Sequence, residues 1–376
     1  MGKETLMKFH VSSSELQKAL MKVSGVVPTR STLPILENLL FDVVGNILKI
    51  TATDLEIAMS VDVQVSGMEN GKIAVPAKRI IDTIKALPDT KIMFSVDTEN
   101  NKIKMVTENG EYALTGEPSD EFPTTPQFKT DNEIEIDIDA LRRLINKTSF
   151  AVSTDELRPA MMGILFQVKN AELCAVATDG HRLVRTKNKA LKTKFKKDIV
   201  IPAKALNLVA KFNEEGIIKI YVNDSHAMFQ FQGTTLVSRL IEENYPNYES
   251  VIPQDNEKHL TVSTNQLLSS VRRVSLYSSS TTHQIRMSIK NDEISIAAED
   301  IDFGSEAKET IPCNYSAEPM EIGFNSNYVS DILTHIESEE VVFHLNSPTR
   351  AGIILPHKQK EGEDVLMLVM PVRLNN

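Results

Sequence analysis

Cysteine is almost absent: Cys174 and Cys313 are the only two in 376 residues. They lie far apart beside strand-like runs, whereas a disulfide framework or a metal cluster needs more thiols at closer spacing. Buried thiols in a reducing compartment are the expectation. Long apolar runs are missing too. No segment approaches the eighteen or so residues that span a bilayer, and no apolar stretch follows a basic N-terminal cap, so a cytoplasmic protein without a membrane partner is expected. Zinc spacing, HExxH, GxSxG and dinucleotide fingerprints do not occur. Gly67 to Lys72 imitates a phosphate loop but is one residue short between its glycines and lacks the following Ser or Thr. Positive charge is also in deficit: 41 Lys and Arg face 51 Asp and Glu, a net charge of −10. That total argues against nucleic acid, but the distribution of charge carries more information than its sum.

What the chain does contain is repetition. Ile73-Ala74-Val75-Pro76-Ala77-Lys78 returns as Ile199-Val200-Ile201-Pro202-Ala203-Lys204 and, more faintly, as Ile322-Gly323-Phe324-Asn325-Ser326-Asn327. A second anchor keeps the same beat: Thr53-Asp54, Thr178-Asp179 and Glu299-Asp300. Solenoids and propellers repeat every twenty to fifty residues. A period near one third of the chain instead predicts three tandem globular copies, each large enough to bury its own core. Boundaries are expected in the Pro-containing polar stretches 117–132 and 242–258, giving copies at 1–130, 131–256 and 257–376.

Each copy should hold two helices, each followed by antiparallel strands. Leu16, Ala19, Leu20 and Val23 recur at helical period behind Ser12 and Glu15, a capping-box pattern. Equivalent starts follow Asp137 and Ser263, and the second helices begin at Pro76, Pro202 and Asn325, where a proline suits the first helical turn. Gly45-Asn46, Asn109-Gly110, Asn170, Asn223-Asp224 and Asn291-Asp292 punctuate alternating runs as hairpin turns would. The six helical segments together carry +7 in a chain of −10. Lys18 and Lys22, Lys78, Arg79 and Lys85, Arg142, Arg143 and Lys147, Lys204 and Lys211, and Arg272 and Arg273 are their cations. Only the sixth segment, with Asp331, is acidic. Such faces suit sequence-independent attraction to phosphates. A further run, Lys187, Lys189, Lys192, Lys194, Lys196 and Lys197, reads as a loop before the fourth helix.

Asp179-Gly180-His181-Arg182 is the most enzyme-like string, since a carboxylate can orient a histidine base. Asp54 and Asp300 hold the equivalent places without a histidine, which points to a shared turn role. The chain is apolar nearly to its last residue, from Val365 to Leu374 around Pro371. That stretch suits a final strand or one wall of an adaptable apolar groove.

Thr32-Leu33-Pro34-Ile35-Leu36, Ala177-Thr178-Asp179-Gly180-His181-Arg182-Leu183 and Met370-Pro371-Val372-Arg373-Leu374, in this order within a threefold repeat, resemble the bacterial sliding clamps, the beta subunits of DNA polymerase III. The resemblance covers essentially the whole chain. It implies an α+β fold of three tandem clamp domains, each with two helices on antiparallel sheets, closing a ring as a head-to-tail homodimer. It implies a processivity factor around double-stranded DNA with no catalytic residue and no cofactor, nucleoid-associated in the cytoplasm. Twelve helices at about 10 Å spacing would trace a circle roughly 38 Å across and, less about 5 to 6 Å of helix radius per side, leave a lumen of about 27 Å.

The family's partner groove maps onto Met161, Thr178, Gly180, His181, Arg182, Leu183, Pro246, Val251, Leu368, Val369, Met370, Pro371, Val372, Arg373 and Leu374. There QLxLF-like tails of the replicative polymerase, the clamp-loader ATPase, translesion polymerases and mismatch-repair proteins would dock. Arg30 matches a DNA-contacting arginine, and Tyr112, Leu276 and Tyr277 fall at the family's dimer contacts. Ser250 stands where some members carry arginine, and Pro159 and Ala160 replace aromatic residues. An acidic scaffold that never encircles DNA, or an enzyme using Asp179 and His181, are the rival readings.

Overall fold

The computed structural model describes residues 6–97, 99–126, 128, 132–169, 172–189, 191–193 and 196–374. Asn170, Lys194 and the expected boundary at 130 lie outside the described residues. Six α-helices occur among them: α1 (Ser13–Val23), α2 (Ala77–Ala86), α3 (Ile138–Thr148), α4 (Ala203–Val209), α5 (Thr264–Val274) and α6 (Ser326–Thr334). Every registered strand pair is antiparallel, including the hairpins at Gly45-Asn46, Asn223-Asp224 and Asn291-Asp292.

The chain divides into two compact units, Met1–Glu135 with Gly216–Leu240, and Ile136–Glu215 with Ile241–Asn376. In the first, a five-stranded sheet runs in the order Ser66–Glu69, Leu6–Ser12, Lys91–Asp97, Lys102–Val106, Glu111–Thr115. Phe94 stacks on Phe9 and Phe41, with ring centroids 4.9 and 5.5 Å apart. In a second sheet of this unit the strand Thr234–Arg239 pairs with Ile57–Gln64, so strands of the central repeat extend a sheet begun by the first. The apolar stripe Leu16, Ala19, Leu20 and Val23 of α1 is buried, and α1 packs on α2 and on Ile47–Thr53 and Ile57–Gln64.

The second unit holds an eight-stranded sheet in which Arg182–Asn188 of the central repeat pairs along its whole length with Glu363–Val369 of the last. A four-stranded sheet, Ser305–Pro312, Glu293–Asp300, Gln284–Lys290, Met320–Asn325, lies in the same unit. The helices α5 and α6 pack together, and α3 packs on Glu172–Thr178 and Arg182–Asn188.

Helix starts differ from expectation in detail. Asp137 caps α3 through amides of Asp139 and Ala140, Ser263 caps α5 and Asn325 caps α6. Ser12 makes no cap bond; its hydroxyl pairs with Ser14 at 2.7 Å and Glu15 is held by Lys18, so no capping box forms. Pro76 and Pro202 sit at the cap position, one residue before the helix, and end the preceding strands. The lysine run is not a loop throughout: Lys187 belongs to the strand Arg182–Asn188, Lys192–Thr193 is a short strand and Lys197 opens another. Cys174 is buried and Cys313 half-buried.

Candidate functional site

The string Thr178 to Arg182 forms a tight turn at a strand end. Asp179 accepts amide hydrogen bonds from His181 and Arg182, both at 2.9 Å, and Gly180 takes φ +91°, a left-handed conformation that glycine adopts without strain. Asp54 holds Glu56 and Ile57 in the same manner, and Asp300 holds Asp302 and Phe303. The three aspartates are turn-makers, and none orients a histidine base.

The turn at Asp179 borders a cavity of about 650 Å³. Met161, Thr178, Gly180, His181, Arg182, Leu183, Pro246, Val251, Leu368 and Met370 all line it. Its floor is a buried apolar cluster of Leu183, Tyr248, Ala351 and Leu368, backed by Leu165, Cys174 and Val176. Burial pushes the Cys174 thiol up to about 11, so it rests as an unreactive apolar filler. Val251 and Met370 remain largely exposed at the rim. The result is an open apolar slot with polar edges, suited to an extended peptide carrying bulky apolar side chains.

Val369, Pro371, Val372, Arg373 and Leu374 do not line the cavity. Val369 is wholly buried, paired with Arg182 and Gly352. Val372 donates to Gly323 O at 2.9 Å, and Leu374 packs so near Gly323 that a Cβ there would meet it at 2.8 Å. This tail is an anchor that sets Met370 in place. Mapping by sequence missed Asn247, Tyr248, Ile252, Pro253, Gln254, Asp255, Thr349, Arg350 and Ala351. The stretch 246–255 was legible as a polar linker, and nothing in its composition showed that it folds back over the slot.

Arg182 faces the slot only in part. Its guanidinium lies 4.7 Å from the Tyr328 ring and 5.3 Å from that of Phe150, and binds Asp179, Asp331 and Phe150 O. The acidic charge noted on the sixth helix, Asp331, is thereby neutralised by the groove wall. His181 stacks on Tyr328 at 6.0 Å.

The cationic faces are more uneven than expected. Lys18, Arg30, Lys78, Arg79, Lys85, Lys204, Lys211 and Arg272 are exposed and Lys22 is half-buried. Arg142 instead turns onto Asp139 and Phe212 O. Arg143 grips Glu363 and Glu337, and Lys147, its side chain 8% exposed, lies 2.6 Å from Glu363. These three are spent on binding the central repeat to itself and to the last strand, because α3 packs its polar side against that strand's carboxylate. Arg273 is paired with Glu309 at 2.7 Å. Tyr112, Leu276 and Tyr277 are all exposed, Leu276 by 80%. Lys78, Arg79 and Tyr112 border a second cavity of about 760 Å³ together with Leu87. Among the described residues no cluster of His, Cys, Asp and Glu could hold a metal ion, and no helix is long and apolar enough to cross a membrane.

Three family models match in sequence order: DNA polymerase III beta subunit, N-terminal domain, at residues 7–126, central domain at 135–247 and C-terminal domain at 249–373. The beta sliding clamp of Vibrio cholerae is 29% identical over 371 residues, covering 98% of this chain and 100% of that protein. The beta sliding clamp of Pseudomonas aeruginosa is 30% identical over 372 residues with the same coverage. A crystal structure of a DnaN sliding clamp from Bartonella birtlesii bound to griselimycin superposes with a TM-score of 0.93 at 30% identity, over 98% of this chain and 100% of that one.

Proposed function

Since the chain belongs to the DNA polymerase III beta-subunit family and is a sliding clamp of three tandem clamp domains, a non-catalytic processivity factor in DNA replication, we propose that it works as a head-to-tail homodimeric ring. Its copies would span 1–130, 131–256 and 257–376. The exposed cations of the helices, Lys18, Lys85, Lys204, Lys211 and Arg272, with the half-buried Lys22 and with Arg30, face the duplex and hold it through phosphates alone. Such contacts carry no base information and exchange freely with counterions, so the ring slides while its closure prevents escape. Arg142, Arg143 and Lys147, engaged internally, are set aside from that surface. Tyr112 of one copy would meet Leu276 and Tyr277 of the other.

The observation that carries the tethering role is the slot at Gly180, with its apolar floor and its rim of Val251 and Met370. A QLxLF-like tail of the polymerase, clamp loader, translesion polymerases or mismatch-repair proteins would seat its apolar side chains there. Griselimycin, bound to the Bartonella clamp, is a candidate competitor for such a peptide, and displacement of the peptide by it would support the slot as the binding surface.

The test is retention on nicked circular DNA after loading with the cognate loader and ATP, followed by a single cut. Persistence on the circle and release from the linear form is the expected result. Equal release from both forms would show surface binding and sink the topological reading.

A further inference from the structure

Two large apolar side chains stand in solvent at the tip of one hairpin. Ile301 and Phe303 are each 83% exposed, on the turn between strands Glu293–Asp300 and Ser305–Pro312. The turn is fixed: the buried Asp300 accepts from the amides of Asp302 and Phe303 at 3.1 and 3.4 Å, and Gly304 closes it at φ +60°. This is the turn that in the central repeat builds the groove wall. Here it presents bulky apolar groups whose exposure costs free energy unless something covers them.

We propose that Ile301 and Phe303 form a second apolar plug of the homodimer contact, inserting against the Tyr112 face of a second copy of this chain. The inference rests on the ring reading and adds residues to it.

Position supports the assignment. The strand Ser305–Pro312 is an outer strand of its sheet, so one of its edges is open to pairing. The helix α5 begins beside the far end of this strand, where Thr261 bridges Asn314, and passes its middle, where Arg273 meets Glu309. The following turn Ser275–Tyr277, which packs on both hairpin strands, therefore reaches the end that carries Ile301 and Phe303. Leu276, Tyr277, Ile301 and Phe303 thus share one end of the sheet.

Charge names the occupant. The plug is flanked by the exposed acids Glu299, Asp302 and Glu306. The cavity beside Tyr112 is lined by Lys78 and Arg79 against a single acid, Asp82, so its rim stays net cationic, with Leu87 in its lining, and the neighbouring strand Glu111–Thr115 is likewise an outer strand of its sheet. An acidic rim around apolar side chains meeting a basic rim around a cavity is a heterologous contact, and two of them close a two-fold ring. Lys78 and Arg79 then serve the contact between copies instead of the duplex.

The experiment is sedimentation equilibrium of the full chain and of a double variant, Ile301→Ser with Phe303→Ser, across a dilution series. Removing two anchors should raise the dimer dissociation constant about 100-fold or more, with an unchanged circular-dichroism spectrum as evidence of an intact fold. A dimeric parent and an equally tight variant would overturn the plug while leaving the ring in place. A parent that is monomeric at every concentration would overturn the ring reading and the plug with it. Should the double variant fail to fold, a benzophenone amino acid at position 303 gives the second readout. Crosslinking to residues 76–112 of another copy supports the plug, and crosslinking elsewhere overturns it.

Discussion

Arg143 and Lys147 lie on the polar stripe of α3, where spacing alone marks them as solvent-facing cations, yet both turn onto Glu363. Burial opposes ionisation of that carboxyl, but the hydrogen bonds from Arg143 and Lys147 outweigh it and hold the group at about 2, below its ordinary 4.5. A carboxyl depressed on folding contributes stability that is complete above its unfolded value and disappears as pH falls through its folded value. Melting temperature should therefore drop between pH 5 and about 2, and Glu363→Gln should flatten that part of the profile. An unchanged slope in a Glu363→Gln titration would show that the cluster is not coupled to folding. Lys147→Met should cost about 3 kcal/mol, because it leaves a carboxylate buried with half its partners, and should leave retention on DNA circles as it was. Sequence reading could not separate these cations from Lys18 or Lys85, because the carboxylate that claims them is more than two hundred residues away. The aspartates were legible for the opposite reason: an acceptor two or three residues before the amides it binds is a local fact, repeated at Asp54, Asp179 and Asp300.

At the scale of elements the apolar stripes were readable because helix burial follows a period of 3.6 residues whatever lies opposite. Leu16, Ala19, Leu20 and Val23 in α1, and Val329, Ile332 and Leu333 in α6, are buried as their spacing requires. Caps were less readable, since a serine hydroxyl has competing partners. Ser12 is occupied by Ser14, whereas Asp137 accepts at 3.0 and 3.1 Å from two free amides of α3. Asp137→Ala should lower stability by about 1 kcal/mol, while Ser12→Ala should change it by only a few tenths, as read from urea midpoints. Equal losses would mean that the Ser12 hydroxyl does support α1. The lysine run misled for a related reason: lysine is weakly disfavoured in strands, so composition read as loop, yet Lys197 opens an outer strand, where lysine is accepted, and Lys187 sits in an interior strand with Glu172 3.6 Å away on its neighbour.

For the whole molecule, the threefold repeat in sequence coexists with two compact units, because the central copy gives Ile217–Val222, His226–Phe231 and Thr234–Arg239 to a sheet shared with the first and Gly163–Lys169, Glu172–Thr178 and Arg182–Asn188 to one shared with the third. Repeats announce themselves within each copy, but strand pairing between copies leaves no periodic mark. The slot depends on that pairing: Leu183 and Leu368, register partners on strands of different copies, form its floor, which explains why motifs located both walls and Val251 but missed the rest of the covering stretch, Asn247, Tyr248 and residues 252–255. The tail beyond Val369 then acts separately from the sheet. Truncation after Val369 keeps every pair between Arg182–Asn188 and Glu363–Val369, while it removes Met370 and the tail that ties to Gly323. Losing one apolar wall side chain of a peptide site costs about 1.5 to 3 kcal/mol, or roughly 10- to 100-fold in affinity. A truncated chain should thus bind a QLxLF-like peptide at least about tenfold more weakly in fluorescence anisotropy, yet stay on circular DNA once loaded. If retention on the circle fell with peptide affinity, the tail would have to support closure of the ring as well as the slot, and tethering and encirclement would not be separable functions of this chain.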